Sequence, residues 1–241
     1  MNNQGVLTPP ERTASTFSWS SIGRKILMAV TGSAFIAFVT VHLVGNLQMF
    51  VGQDQINAYA QALHDLGPVV WFIRLPLALF FAIHIWTGIR LWLENLRARP
   101  TGYVRENTVQ ASLSSRTMIY SGFGLLVFVV YHLLHYTFQV TNPQYGSLID
   151  AAGRIDVYTM VIMGFRNPII AAAYIVAMFG LAYHLSHAVP SLFQTLGLSD
   201  HRWRPRLERI GNIMAVLAFI GYASIPVGVL TGIISLAEGG N

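Results

Sequence analysis

Apolar runs, each of a length to cross a bilayer as a helix, alternate along this chain with short polar stretches that carry nearly all of its charge. A bilayer-spanning helix needs about 20 residues, and five runs reach that length: about 26–50, 69–92, 117–140, 168–193 and 210–236. The second is the least regular. Its uncharged stretch, Leu75 to Ile89, is short and bounded by Arg74 and Arg90, with Pro76 near its start. It still reads as a span, because arginines near helix ends can extend to the interface. No heptad pattern, internal repeat of useful length or low-complexity tract appears. Residues 1–20 are polar and lack the apolar core of a signal peptide. The expectation is an all-α integral membrane bundle of five helices: a short N-terminal segment, 1–22, and a membrane domain, 23–241.

Composition agrees with this reading. Apolar residues make up 54% of the 241, charged residues only 10%, and the mean hydropathy is +0.51. A soluble domain carries about 25% charged residues, so this surface has to face lipid. Cysteine is absent, which excludes disulfides, thiolate zinc sites and cysteine-held iron–sulfur clusters within the chain. The net charge of +5 comes from arginines at segment ends, not from one patch, so it is no nucleic-acid footprint. Arg12, Arg24 and Lys25 precede the first span. Arg97, Arg99, Arg105 and Arg116 lie between the second and third, and Arg202, Arg204, Arg206 and Arg209 between the fourth and fifth. The opposite side holds Arg154 and Arg166, with Arg74 just inside a span end. Basic loops stay cytoplasmic, which predicts a cytoplasmic N-terminus and an external C-terminus. Trp19, Trp71, Trp92 and Trp203 sit near span ends, as an aromatic belt does.

Six of the eight histidines fall inside spans: His42, His84, His132, His135, His184 and His187. Ionisable groups at membrane depth are costly and usually functional. Helix rise gives their depths. His42 lies about 27 Å and His132 about 24 Å from the inner boundary on outward-running helices. His184 lies about 27 Å from the outer boundary, and His84 about 9 Å from the inner one, on inward-running helices. The histidines therefore form an outer pair, His42 with His132, and an inner pair, His84 with His184. Two imidazoles across a plane suit bis-histidine haem, which is six-coordinate and carries electrons. Non-haem metals take three or four ligands, often with carboxylates, and no Asp or Glu lies in the middle of a span. Gly88 after His84 and Gly180 before His184 offer clearance one turn from two ligands. His135 and His187 share helix faces with His132 and His184, so spacing alone does not choose within either couple.

The stretches SSIGRKILMAVTG and VHLVGNL around His42, FAIHIWTGIRL around His84, VVYHLLHYT around His132 and YHLSHAVPSLFQTLG around His184 together resemble a known family. It is the five-helix, di-haem cytochrome b membrane anchor of succinate:quinone oxidoreductases (succinate dehydrogenase and fumarate reductase). The resemblance implies two haem b groups, the outer held by His42 and His132 and the inner by His84 and His184. It favours His132 over His135 and His184 over His187, leaving the second members as alternative ligands or neighbours of the haem. It implies a flavoprotein partner with FAD, an iron–sulfur partner, a place in the plasma membrane, electron transfer to a quinone (menaquinone by analogy), and a possible trimer of complexes. Succinate chemistry would reside in the partners. Candidate propionate partners are Arg24, Arg97 and Arg116 on the inner side and Arg74, Arg154 and Arg166 on the outer. Candidate quinone residues are His64 and Asp65, with Asp54 upstream, and on the inner side Ser20, Ser21 and Arg24. Rival readings are the cytochrome b of a formate dehydrogenase or hydrogenase, and a transporter relaying protons through histidines.

Overall fold

A computed structural model describes residues 20–98 and 117–236. Five helices in it are long and apolar enough to cross a membrane. They are built on α1 (Ser21–Leu47), α3 (Trp71–Arg97), α4 (Met118–His132, its span running on to Thr137), α6 (Pro168–Thr195) and α7 (Arg204–Leu230). Two shorter helices, α2 (Gln53–Asp65) and α5 (Val157–Phe165), lie in the connections after α1 and before α6. Among the described residues there is no strand, only an isolated bridge between Ile149 and Ile155.

Several boundaries differ from the sequence expectation, each for a local reason. Ser20 caps α1 by accepting a hydrogen bond from the Gly23 amide at 3.1 Å, so the helix starts before the apolar run does. Arg74 and Pro76 do not interrupt the second span: a 3₁₀ turn over Gly67–Val70 leads into one continuous helix past both. The third span ends its α-geometry at His132 and closes with a π-turn over Leu133–Thr137. There the Phe138 amide reaches back to the Leu133 carbonyl at 2.7 Å. Gln139 follows with φ of 54°, a left-handed conformation costly for a residue with a Cβ. The fifth span begins at Arg204 and stops at Leu230, where the Ile234 amide folds back onto the Gly228 carbonyl at 2.9 Å.

The helices pack as neighbouring hairpins, α1 on α3 and α4 on α6, with α7 lying along α6 and touching α1. Their outer faces are apolar and exposed; Phe72 and Ile169 are both 78% exposed, as lipid-facing side chains are in a bundle without its bilayer. The contiguous buried core lies at one end, where α2 and α5 close the bundle. Met49, Ile56, Ile162, Phe165, Tyr174 and Val229 meet there. A polar hub fastens this cap. Asp156, the N-cap of α5, accepts hydrogen bonds from Gln53, Asn57 and Thr159 at 2.6–3.0 Å. Asn57 also donates to Asp150, and Arg154 bridges Asp150 and Asp54. The bundle thus has a capped end and an opposite end, marked by Ser21.

Candidate functional site: two facing histidine pairs

α1, α3, α4 and α6 each carry a half-buried histidine on an inward face, and the four rings form two pairs. His42 and His132 stand with ring centroids 6.0 Å apart, toward the capped end. His84 and His184 stand 6.5 Å apart, toward the Ser21 end. These are the pairs that helix rise groups by depth. Metal–imidazole bonds are about 2 Å long, so centroid separations of 6.0 and 6.5 Å would leave room for one metal ion held by both rings of a pair. Among the described residues no group of three or more histidines and carboxylates is placed around a common point. The donor set is two imidazoles per site, which fits a haem with its four equatorial nitrogens and does not fit a three- or four-ligand protein cage.

The Ser21-end pair is held by hydroxyls. Thr31 Oγ1 lies 3.0 Å from His84 Nδ1, and Ser121 Oγ lies 3.1 Å from His184 Nδ1. Both hydroxyls also donate to carbonyls of their own helices, Thr31 to Leu27 at 2.8 Å and Ser121 to Met118 at 3.0 Å. The glycines that follow these hydroxyls face the same rings, at ordinary contact distance. A Cβ on Gly32 or Gly122 would stand 3.6 Å from Cε1 of His84 or His184. Gly88 instead faces Met28, and Gly180 has nothing within 4 Å. The glycines nearest the rings are on the facing helices, not one turn away on the same helix.

The capped-end pair is held by aromatic rings. Phe38 stacks on His42 at 5.3 Å and 13°, and Phe128 lies 5.8 Å from His132. Tyr222 and Tyr174 approach from α7 and α6. His135 points elsewhere. It is fully buried, with Nδ1 2.9 Å from the Tyr174 hydroxyl and its ring 4.1 Å from that of Tyr136. Its Nε2 and the Tyr136 hydroxyl are buried with no hydrogen-bond partner among the described residues. His187, one turn beyond His184, is half-buried.

The two halves follow one pattern. Thr31, Gly32, Phe38 and His42 on α1 recur as Ser121, Gly122, Phe128 and His132 on α4, each ninety residues later. In both, the hydroxyl and the following glycine meet the histidine of the next membrane helix. With Val39 and Val129, five positions in twelve repeat and the rest differ, which is why no contiguous repeat shows in the sequence.

The remaining candidates are scattered. Arg24 pairs with Glu94 across α1 and α3 at 2.7 Å. Arg97, Arg74 and Arg166 are exposed at helix ends, Arg74 with its guanidinium over Trp71. Arg154 is committed to the cap. His64 and Asp65 are exposed at the end of α2, where Asp65 accepts from Gln61. Ser20 is a helix cap and Ser21 is exposed. Trp71, Trp92 and Trp203 are exposed near span ends. Arg116 and Trp19 lie outside the described residues. Compared with protein-family models, curated proteins and solved structures, the chain matches none.

Proposed function

We propose that this chain is a di-haem cytochrome b, the membrane anchor of a succinate:quinone oxidoreductase, passing electrons between cytoplasmic partner subunits and a membrane quinone. The observation that carries the haem reading is the pair of facing imidazole pairs, 6.0 and 6.5 Å between centroids, stacked along one bundle. His42 and His132 would hold one haem, and His84 and His184 the other. When bound, each b-type haem would supply one reversible one-electron couple. The chain's own residues orient the imidazoles, exclude water and neutralise the carboxylates at the haem edge. At the capped end, His135 Nε2 and the Tyr136 hydroxyl are buried polar groups, and both would suit a propionate with the His135 proton on Nε2. At the Ser21 end, Arg24 stands near the bundle mouth with a carboxylate partner already in place.

The anchor reading rests on the sequence resemblance and on charge. The arginine-rich connections follow the helix ends on the Ser21 side, which supports a cytoplasmic position for that end by the positive-inside rule, in a plasma membrane by the same resemblance. A flavoprotein with FAD and an iron–sulfur subunit would dock there, next to His84 and His184. Quinone, menaquinone by analogy, would react toward the capped end, where Asp54, His64 and Asp65 supply proton-exchanging groups.

Purified chain should show a reduced-minus-oxidised spectrum with a b-type α-band, two haems per polypeptide and two redox transitions. Absence of the band, or one haem per chain, overturns the di-haem reading. Co-purification with a flavoprotein and an iron–sulfur protein, and succinate-dependent quinone reduction by that complex, test the anchor assignment; a molybdenum or nickel enzyme in their place would replace it.

A further inference from the structure

The two hydroxyls beside the Ser21-end histidines sit on different helices, yet they repeat one arrangement in detail. Thr31 on α1 and Ser121 on α4 each lie within 3.1 Å of an Nδ1 on the next membrane helix. Each is followed by a glycine that faces the same ring, a Cβ on it standing 3.6 Å from Cε1. Each precedes the capped-end histidine of its own helix by eleven residues. Thr31 is 1% exposed, so water does not compete for its oxygen. Among the described residues no comparable hydroxyl serves the capped-end pair: the hydroxyl contact there, Tyr174 to His132 Nδ1, is 3.5 Å, at the outer limit for a hydrogen bond.

We propose that Thr31 and Ser121 are matched positioning residues for one haem of the two, fixing the tautomer and rotation of His84 and His184 and raising their donor strength toward iron. This rests on the di-haem reading above. A hydroxyl has one proton to give. In both cases a backbone carbonyl of the same helix lies closer to the oxygen than the imidazole nitrogen does, at 2.8 Å for Thr31 and 3.0 Å for Ser121. A carbonyl can only accept, so a hydroxyl that gives it the proton leaves its oxygen to accept from imidazole. The proton then sits on Nδ1, and Nε2 presents its lone pair, the nitrogen and protonation state a metal requires. An imidazole that donates from its far nitrogen is also a more basic ligand, which favours the oxidised form of the metal it binds. The carbonyl contact has a second effect. It holds each hydroxyl in one rotamer, so the oxygen is aimed before any cofactor arrives.

The test uses the whole chain in its native complex, with redox titration of both haems. Thr31→Val keeps the side-chain shape and removes the oxygen; Ser121→Ala does the same on α4. Each is expected to raise the midpoint of the Ser21-end transition, favouring reduction about three- to tenfold at a fixed potential, with two haems still bound and the other transition unmoved. Thr31→Ser and Ser121→Thr retain the hydroxyl and are expected to titrate as the native chain does. His84→Ala identifies which transition belongs to the Ser21 end. A native chain without haem transitions would sink the cytochrome reading itself. Two native transitions, of which neither moves in Thr31→Val and Ser121→Ala, would overturn the positioning role alone. So would a Thr31→Ser chain that behaves like Thr31→Val, because packing rather than the oxygen would then be responsible.

Discussion

His84 and His184 lean on hydroxyl oxygens that are anchored to a neighbouring backbone, whereas His42 and His132 each rest against a phenylalanine one turn earlier on the same helix. The surroundings differ in the same sense. Around the capped-end pair lies the contiguous core, with Tyr174 and Phe165 packed edge to face under α5. Around the Ser21-end pair few side chains are fully buried, and Thr31 and Thr87 are polar. A ring can be oriented by close packing on several sides, or by one directional bond where packing is sparse. The chain uses packing where its short helices supply a core, and hydrogen bonds where it has only the spanning helices and lipid.

The largest expected effects test whether the two pairs are separate sites. His84→Ala or His184→Ala should halve the haem content and remove one redox transition. His42→Ala or His132→Ala should remove the other. If His42→Ala and His84→Ala abolish the same transition, the pairing is wrong. Next, His132→Ala should cost the capped-end haem, while His135→Ala should retain it with a shifted midpoint, because His135 faces Tyr174 and Tyr136 and not His42. Loss of that haem only in His135→Ala would reverse the two roles.

A smaller effect separates the ends by stability. Asp156→Ala removes the acceptor shared by Gln53, Asn57 and Thr159 and leaves the fully buried Asn57 short of a partner. The loss should be about 3 kcal/mol, read as a lower unfolding midpoint in detergent, with the capped-end transition disturbed and the Ser21-end transition intact. Equal disturbance of both would deny the cap its local role. The same hub predicts a pH response. Burial works against the Asp156 carboxylate, but hydrogen bonds from Thr159, Asn57 and Gln53 outweigh it and hold the carboxyl below its usual range. Asp150 is lowered likewise, the bonds from Arg154 and Asn57 overcoming desolvation. A depressed folded value means stability that is full above the unfolded carboxyl value of about 3.9 and is lost as pH falls through the lower folded one. Thermal unfolding midpoints should hold from neutral pH down to about 5 and drop below about 4; a drop already between 7 and 6 would point away from these carboxylates. The smallest perturbation assigns sides without touching either pair. A cysteine replacing Ser147, near the capped end, should react with an impermeant reagent on intact cells, and one replacing Thr101, outside the described residues, only after lysis. The reverse pattern would invert the bundle.

Hydropathy and helix rise are one-dimensional properties, and what depends on them alone was legible. The five spans could be read because each is a run of apolar residues, and the four histidines could be grouped because depth follows from counting. Everything set by a neighbour on another helix was hidden. Gly32 and Gly122 lie ten residues before the nearest histidine of their own helices, so no rule about adjacent turns selects them. Thr31 and Ser121 look like ordinary helix hydroxyls bonded to their own backbone until α3 and α6 are brought alongside. α5 is apolar but only nine residues long, too short to span, and its place under the bundle comes from Asp156 meeting Asn57 on α2. The choice between His132 and His135 was open for a related reason. Three residues apart on a regular helix they share a face, but the helix widens into a π-turn after His132, and His135 is buried against Tyr174.

The eleven-residue offset between hydroxyl and histidine on α1, and again on α4, works as a ruler. Eleven residues make three helical turns plus about 20°, over a rise of about 16 Å. One face of one rod therefore serves both levels, and the interval between them is set by the covalent chain rather than by how the helices settle against each other. A residue inserted between Gly32 and Phe38 would turn His42 away by about 100° while Thr31 stayed in register. Such a change leaves hydropathy and length almost untouched, yet it would uncouple the two levels. The segments 32–42 and 122–132 are thus intolerant of insertion or deletion in a way their apolar composition does not reveal, while the connections that hold α2 and α5 differ in length between the two halves without disturbing the interval.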